Sequence, residues 1–390
     1  MILGASVLQL SLIKKAKNLG LHVIVVDQNK NAVGVKEADD FYAVSTLDVD
    51  SILQIAKKEE IDGIMTTGSD LPMKVVGAVS DELKLNSISA ETAELATNKI
   101  KMINKFKEKK VPSPIFKEIN NYNGESIDFD LPFIVKPANN SGSRGVKLVL
   151  DKHDISESLN YAKSFDVNGN ILIEEYLTGQ EISVEGIVIE DKLEIITLTK
   201  KFVSSGEYFV ETGHVQPFIV NKSLYEEIEK CCQLTIESLN INKGPVHIEL
   251  FVTEYGPKVI EAGARMGGDF ITSDLVALST GVDFEEMSII QALGGEVKIP
   301  KNLNGKFCAI KFIYSTTVGY LLEVNGIEEA QKLKNIKKIG ISKEIGDMIS
   351  SIKNSNDRIG YIISLGETEE DAIKNCEKAE EEIEIVVKKK

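Results

Sequence analysis

The chain has 390 residues, 43% of them hydrophobic, which is enough for two to four domains with buried cores. Its formal net charge is -15 and its pI is about 5.0, which argues against a nucleic-acid backbone or an anionic membrane surface as partner. No apolar run is long enough to cross a bilayer, the first residues lack the basic stretch of a signal peptide, and the four cysteines have no CxxC spacing. We therefore expect reduced thiols and a cytoplasmic location.

The first hundred residues alternate between strand and helix patterns. Strands are predicted over 2–4, 22–27, 41–45 and 61–67, and helices over 7–19 and 49–59. This alternation predicts a parallel sheet of the doubly wound type. Gly4-Ala5-Ser6 is not a full GxGxxG, so a dinucleotide site is not predicted. Gly68-Ser69-Asp70 follows the fourth strand at its carboxyl end, the side on which such sheets bind ligands.

A second domain is predicted after a helical connector, residues 90–110, which Pro112 and Pro114 end. Strand 132–136 carries Lys136 and leads through the loop 137–145 into a strand over 146–150. Small residues dominate the loop, so its backbone N–H groups can wrap an anion, although a solvated hairpin loop is the alternative. It is not a Walker A motif, because neither GK[ST] nor a helix follows.

The rest of the chain mixes strands and helices. The patterns predict a strand over 171–177, a hairpin over 181–202 that turns at Glu190-Asp191, a polar turn over 211–214, and helices over 151–165, 224–239, 271–280, 284–292 and 369–381. We expect the last helix to have a solvated face and to be followed by a Lys-rich tail.

Residues 244–269 are predicted to form a β-hairpin with a three-residue loop, Glu254-Tyr255-Gly256. Pairing about Tyr255 places Ile248 opposite Ala262, Leu250 opposite Ile260, and Glu249 opposite Glu261. Opposed like charges destabilise a sheet, so the hairpin predicts a divalent cation with oxygen ligands. Two solvated glutamates on an exposed face are the alternative.

An ordered set of motifs follows the chain: Lys99 in TNK, Lys136 in FIVKP, the small-residue loop, EEYLTGQE, ETGH, HIELF and EAGAR. Together they resemble the ATP-grasp superfamily over most of the chain, and GSDLP with ISAETAELATNK resembles its preATP-grasp domain. The form EAGARMGGD, with ETGH and DRIGYIISLGETEEDA, is similar to the branch of L-amino acid ligases that make dipeptides.

The resemblance implies an α/β fold with α+β character in its ATP-grasp part. It implies a Rossmann-like preATP-grasp domain over 1–98, a two-lobed ATP-grasp domain over 99–300 with a lid-like lobe at about 115–177, and a C-terminal α+β subdomain over 301–390.

The resemblance also implies the site. Lys99 and Lys136 match lysines that contact ATP phosphates, and Lys200 matches a further one, with Lys201 competing for that role. The remaining nucleotide contacts match Ser141, Gly142 and Ser143 in the covering loop, Glu174, Glu175, Tyr176 and Leu177 at the adenine, and Glu181 at the ribose. Glu249 and Glu261 match the carboxylates that bind Mg²⁺, with Mn²⁺ as the alternative ion, and Glu211, His214 and Arg265 match residues on the substrate side.

One position departs from the family pattern. Many members read E-x-N-x-R at the second metal carboxylate, whereas this chain has Gly263 in place of the Asn. The third ligand is missing, and water or Glu211 are the candidate substitutes.

The function implied is an ATP-dependent carboxylate–amine ligase of the cytoplasm that joins amino acids through an acyl phosphate, releases ADP and phosphate, and forms a homodimer. The alternatives are a nucleotide-biosynthesis enzyme of the carboxylase or transformylase type, a carbamoyl-phosphate-synthase-like protein, and a nucleotide-binding regulator without turnover. A regulator is expected to have lost a metal carboxylate or a phosphate lysine, whereas this chain keeps both kinds.

Overall fold

The computed structural model describes residues 1–120, 122, 127–139, 142–166, 169–204, 208–300 and 305–389. The chain forms two compact units of mixed α/β structure. The first unit comprises Met1–Ser113, Ser183–Leu198 and Val220–Leu303, and the second comprises Pro114–Ile182, Thr199–Ile219 and Asn304–Lys390. No helix in the described part of the chain is long and apolar enough to span a membrane.

The strands, in chain order, are β1 (Ile2–Leu3), β2 (Ile24–Val26), β3 (Asp40–Tyr42), β4 (Phe116–Ile119), β5 (Phe133–Pro137), β6 (Lys147–Val149), β7 (Ile171–Glu175), β8 (Gln180–Ile189), β9 (Lys192–Val203), β10 (Glu211–Gln216), β11 (Gly244–Thr253), β12 (Gly256–Gly263), β13 (Phe307–Ile313), β14 (Gly319–Asn325), β15 (Ile336–Ile341), β16 (Met348–Ile349), β17 (Gly360–Gly366) and β18 (Glu384–Lys389).

The helices are α1 (Val7–Asn18), α2 (Val49–Lys58), α3 (Met73–Leu83), α4 (Ala90–Thr97), α5 (Lys99–Lys109), α6 (Ile155–Lys163), α7 (Lys222–Ser238), α8 (Ala277–Thr280), α9 (Phe284–Ala292), α10 (Ile327–Lys332) and α11 (Glu369–Glu381). A π-helix, Ile271–Val276, runs directly into α8.

The first unit contains the predicted parallel sheet, with strand order β1-β2-β3. The fourth predicted strand, 61–67, is wrong as a regular strand: it makes only isolated parallel bridges, Ile2 with Met65 and Thr67 with Met266. Met65 exchanges backbone hydrogen bonds with Met1 and Leu3, and the Gly63 carbonyl accepts one from the amino terminus, which is too short a pairing to form a ladder. The core beside it includes Leu12, Ile13 and Val25, all fully buried.

The helical connector is two helices rather than the single one predicted. Asn98 ends α4 through a backbone hydrogen bond to Glu94 and caps α5, its side chain accepting a hydrogen bond from the backbone N–H of Lys101. Asn is a preferred N-cap because its side-chain oxygen satisfies a free N–H of the first turn. The break makes Lys99 the first residue of α5.

The hairpin of β8 and β9 turns at Glu190-Asp191, as predicted. Both turn residues have positive φ, 50° and 65°, which is the backbone of a two-residue type I′ turn. Within the first unit the strand order is β12-β11-β8-β9.

The second unit contains an antiparallel sheet of order β4-β7-β5-β6. Helix α6 packs on it over a core that includes Phe133, Leu159 and Ile173. This lobe carries Lys136 on β5 and Glu174 on β7.

The remainder of the second unit is a sheet that runs from the end of β9 through β10, β13, β17 and β15, covered by α11. A smaller sheet has the order β16-β14-β18. The Lys-rich tail expected after α11 is therefore wrong: residues 384–389 pair with β14. Ile385 and Val387, two positions apart on the same face of β18, pack on the core, and this packing outweighs the charge of the lysines that follow.

Candidate functional site

The β11–β12 hairpin brings Glu249 and Glu261 opposite each other, as predicted. Its loop is shorter than predicted, because Thr253 pairs with Gly256 across a two-residue turn. Leu250 consequently lies opposite Val259, so the predicted pairing of Leu250 with Ile260 is wrong.

A bulge restores the register of the two carboxylates. The register shifts between Glu249 and Leu250, where Ile260 is the extra residue of β12. Such bulges re-aim the side chains that follow them. Glu249 and Glu261 thus share one face of the hairpin, with 23% and 26% of their side chains exposed.

Each of the two carboxylates has a cationic partner within the first unit. Lys99 Nζ lies 2.6 Å from Glu261 Oε1, and His247 Nε2 lies 3.1 Å from Glu249 Oε1. Burial acts to lower the pKa of Lys99, but the neighbouring carboxylates, Glu261 foremost, hold that pKa above its ordinary value. These contacts offset the repulsion from which the sequence predicted a metal, so the repulsion alone does not require one.

The donor set of the pair nevertheless suits Mg²⁺. Carboxylate oxygens are the hard ligands that this ion prefers, and it is usually held by one or two carboxylates together with substrate phosphates and water. The described residues contain no cluster of three or more His, Cys, Asp or Glu side chains arranged to hold a metal. Glu249 and Glu261 therefore fit a magnesium ion that arrives with a phosphate ligand, and they do not form an all-protein cage.

His247 is held from behind by a carboxylate that sequence reasoning missed. Glu185 is fully buried on β8, and its two oxygens lie 2.9 and 3.0 Å from His247 Nδ1. Ser183 Oγ donates a hydrogen bond to Glu185 at 2.8 Å. Burial acts to lower the pKa of His247, but Glu185 and Glu249 raise it to about 9, so the ring is protonated at neutral pH. The sequence signal was the alternation of β8, which places Glu185 on the face of Ser183.

Arg265 lies just beyond β12 and pairs with Asp70. Its Nε donates to Asp70 Oδ1 at 2.6 Å, and its Nη1 donates to the carbonyl oxygen of Met266 at 3.0 Å. Burial acts to raise the pKa of Asp70, but Arg265 outweighs it, so the carboxyl titrates below its usual range. A Cβ on Gly263 would lie 3.3 Å from both Asp70 Oδ1 and Arg265 Cγ. Glycine therefore lets this ion pair lie against the end of β12.

In the second unit, Lys136 and Glu174 contact each other. Their strands, β5 and β7, are neighbours, and Lys136 Nζ lies 2.7 Å from Glu174 Oε2 with both side chains buried. Glu174 Oε1 is buried without a hydrogen-bond partner among the described residues. The sequence-predicted phosphate lysine and the first residue of the predicted adenine segment are thus adjacent.

The other residues of that segment have separate surroundings. The Glu175 N–H donates a hydrogen bond to the Ile115 carbonyl oxygen at 2.8 Å, and the Ile115 N–H donates one to the Glu175 carboxylate at 3.1 Å. The ring of Tyr176 lies 6.2 Å from that of Phe209, and Leu177 is buried. In the covering loop, Gly142 and Ser143 both have positive φ, 66° and 57°, whereas Ser141 lies outside the described residues.

A second charged cluster forms around Lys201. Its Nζ lies 3.0 Å from Glu181 Oε1 and 3.5 Å from Glu211 Oε1. Lys200 lies on the other face of β9, where its Nζ is 2.6 Å from Glu369. Successive side chains of a strand point to opposite faces, so only one of the two lysines can lie beside Glu181. The structure separates the competing candidates and places Lys201 with the predicted ribose acid.

Glu211 and His214 were predicted to lie on a turn, but they lie on strand β10. Glu211 accepts a hydrogen bond from Arg358 at 3.0 Å, in addition to its contact with Lys201. The Arg358 guanidinium stacks 3.6 Å from the ring centre of Phe312, and His214 packs edge-on against the same ring. Arg358 was missed as a site residue, because it is distant in sequence and only the sheet order brings it to Glu211.

Three family models match successive parts of the chain. Residues 3–89 match the PylC-like N-terminal domain, residues 129–274 the ATP-grasp domain, and residues 311–388 the L-amino acid ligase C-terminal domain 2.

Relatives extend these matches over nearly the whole chain. A phosphoribosylamine–glycine ligase of Methanococcus maripaludis is 26% identical over 94% of this chain and 89% of its own. A formate-dependent phosphoribosylglycinamide formyltransferase of Prochlorococcus marinus is 25% identical over 99% and 97%. The crystal structure of an L-amino acid ligase from Bacillus licheniformis has a TM-score of 0.88 at 20% identity, covering 99% of this chain and 98% of that one. The last similarity is one of fold.

Proposed function

We propose that this chain is an ATP-grasp ligase of the kind that forms C–N bonds, and that it joins amino acids through an acyl phosphate with release of ADP and phosphate. The observation that carries the proposal is the arrangement in the first unit. Two opposed carboxylates, Glu249 and Glu261, are followed at the end of the same hairpin by Arg265, which Asp70 holds in place. The match of residues 311–388 to an L-amino acid ligase domain supports the choice of substrate class.

The chemistry requires activation of a carboxylate, because its leaving group would otherwise be oxide. A carboxylate oxygen attacks the γ-phosphorus of ATP, the bond to the bridging oxygen breaks, and ADP leaves. An amine then attacks the acyl carbon, the C–O bond to phosphate breaks, and the amine loses a proton. Positioning and charge neutralisation lower the barrier of the phosphoryl transfer.

Residues of the two units are assigned separately. In the first unit, Arg265 binds the reacting carboxylate and Lys99 supplies a cation beside Glu261. Mg²⁺ held by Glu249 and Glu261 would neutralise charge on the nucleotide phosphates. In the second unit, Lys136 and the loop with Gly142 and Ser143 bind phosphate. Glu181 binds the ribose, with Lys201 fixing its orientation, and residues 174–177 contact the adenine.

Glu211 has a different role from the one first expected. Two cations, Lys201 and Arg358, already balance its charge. We therefore assign it to holding those two side chains in position, with His214 packed beside them, rather than to binding a substrate ammonium.

A purine-biosynthesis ligase is the second candidate, because two relatives with those names match nearly the whole chain. Such an enzyme binds a sugar phosphate. Asp70 stands beside Arg265, so a phosphate dianion there would face a carboxylate at a cost, whereas an amino acid also brings an ammonium that offsets this like-charge contact. This contact favours an amino acid.

The test is a screen of ATP with all pairs of the twenty L-amino acids, in which ADP, phosphate and AMP are quantified and products are detected by mass. We expect ADP and phosphate together with a dipeptide mass for at least one pair. Turnover with phosphoribosylamine and glycine, or with a phosphoribosylglycinamide and formate, and with no amino acid pair, would establish the second candidate instead.

A further inference from the structure

Asp70 and Arg265 present opposite charges side by side, with atoms left over for a ligand. The contact between them uses Asp70 Oδ1 and Arg265 Nε. Asp70 Oδ2 and Arg265 Nη2 make no hydrogen bond with any described residue. Both side chains keep 12% of their surface exposed, so the pair is not sealed in the core of the first unit. The pair therefore offers one anionic acceptor next to one cationic donor.

The two segments that carry the pair are fixed to each other. Thr67 forms an isolated parallel β-bridge with Met266, and the Gly68 N–H donates a hydrogen bond to the Met266 carbonyl oxygen at 3.3 Å. A Cβ on Gly268 would come within 3.3 Å of Gly68 Cα, so the two backbones are in direct contact. This arrangement holds the acceptor and the donor at a set separation before any ligand binds, which reduces the entropy lost on binding.

Gly263 completes the arrangement. It is buried at the end of β12, and any side chain there would press on both Asp70 and Arg265. Its backbone conformation is one that other residues adopt, because its φ is not positive. The need for glycine is therefore the close approach of the ion pair, not the backbone.

We propose that Asp70 is a specificity-determining residue that binds the α-ammonium of the amino acid whose carboxylate Arg265 holds. An α-amino acid carries an ammonium and a carboxylate on one carbon, and this is the spacing of charges that an adjacent Asp and Arg can match. A carboxylic acid without the ammonium would leave Asp70 Oδ2 unpaired, and a site built for a hydrogen bond discriminates strongly against a ligand that lacks it. This assignment rests on the proposed ligase function and goes beyond it, because it names the group that selects the acyl donor.

The test compares the amino acid that the screen shows to be used best with its deamino analogue, for example L-alanine with propionate. Wild-type enzyme is expected to prefer the amino acid by about tenfold or more in kcat/KM for ADP release, the value of one charge-assisted hydrogen bond. Asp70→Asn should remove most of this preference by raising KM for the amino acid much more than KM for the analogue, while KM for ATP stays unchanged. Asp50→Asn, an exposed acid of the same unit, is the matched control and should behave as wild type.

Gly263→Ala provides a second variant that removes no charge. It should also raise KM for the amino acid, because the added methyl displaces the Asp70–Arg265 pair, and it keeps the inference testable where Asp70→Asn does not fold. The inference is overturned if propionate serves the wild type as well as alanine does, or if a folded Asp70→Asn enzyme keeps the preference; ligation itself then still stands. Absence of ADP release with every amino acid overturns the proposed function and this inference together.

Discussion

Lys136 is the residue on which nucleotide binding is expected to depend most. We predict that Lys136→Ala weakens ADP and ATP binding by at least about tenfold in isothermal titration, because it removes a buried cation next to the proposed phosphate-binding loop. The change also leaves Glu174 buried without its partner, and breaking such a pair costs about 3 to 5 kcal/mol of stability.

Two further variants separate these effects. Lys136→Met combined with Glu174→Leu removes both buried charges, so it should fold stably and still bind nucleotide weakly. Lys152→Ala, on the exposed surface of the same lobe, should bind as wild type. A folded double variant with normal nucleotide affinity would show that Lys136 is structural.

Glu249 and Glu261 are predicted to set the affinity for the divalent ion. Either Glu249→Gln or Glu261→Gln should weaken Mn²⁺ binding to the enzyme–ADP complex by about tenfold, since one charged oxygen ligand is lost. Electron paramagnetic resonance of the free Mn²⁺ measures the dissociation constant of the ion without turnover. Glu254→Gln, in the turn of the same hairpin, is the control. If both variants bind Mn²⁺ as tightly as the control, the carboxylates are not ligands.

Glu285 should make stability depend on pH. Burial raises the pKa of Glu285 to about 7, and a hydrogen bond from Ser11 only partly opposes this. In the unfolded chain the same group has its ordinary pKa of about 4.5, so ionising it in the folded protein costs stability as pH rises from that value through 7. Glu285→Gln should therefore stabilise the protein by about 3 kcal/mol at pH 8.5 and by under about 1 kcal/mol near pH 5.

Chemical denaturation at the two pH values measures the difference. Glu286→Gln, the next residue of α9, should leave the profile as in wild type. An equal effect of Glu285→Gln at both pH values would contradict the assignment of the burial cost to this carboxyl.

At the level of elements, the break between α4 and α5 positions Lys99, and Asn98 makes that break. Asn98→Ala removes the N-cap and should lower the free energy of unfolding by about 1 kcal/mol. It should also weaken nucleotide binding, because Lys99 is the first residue of the uncapped turn. Asn98→Asp keeps a capping oxygen and should retain both properties. Full stability in the alanine variant would mean that the two helices are held by packing alone.

The β11–β12 hairpin shows which features of a single element the sequence pattern predicts. Alternation correctly placed Glu249 opposite Glu261, because the side-chain period of a strand is fixed. Alternation did not predict the shorter turn or the bulge at Ile260. The turn shifts the pairing by one residue and the bulge shifts it back, so the pairing of the two acids is unchanged. The strand at 211–214 was mistaken for a turn because Glu and Gly are poor strand formers, and pairing with β9 and β13 overrides that preference.

Across the whole molecule, the order of motifs along the chain predicted the ATP-grasp fold, and family models match successive parts of the chain in that order. The contacts that depend on tertiary packing were not predictable from spacing. Arg358 meets Glu211, and Asp70 meets Arg265, over long sequence separations that no local pattern encodes. The tail after α11 was likewise misjudged, because its partner β14 lies far upstream.

The central claim is that a substrate carboxylate takes the γ-phosphoryl group of ATP. Amino acid labelled with ¹⁸O in its carboxylate tests this directly, with mass analysis of every phosphorus product after ligation. The mechanism predicts one ¹⁸O atom in each inorganic phosphate released, since the oxygen that attacks phosphorus leaves with it. Label found in AMP, or phosphate released without label while a dipeptide forms, would contradict the account.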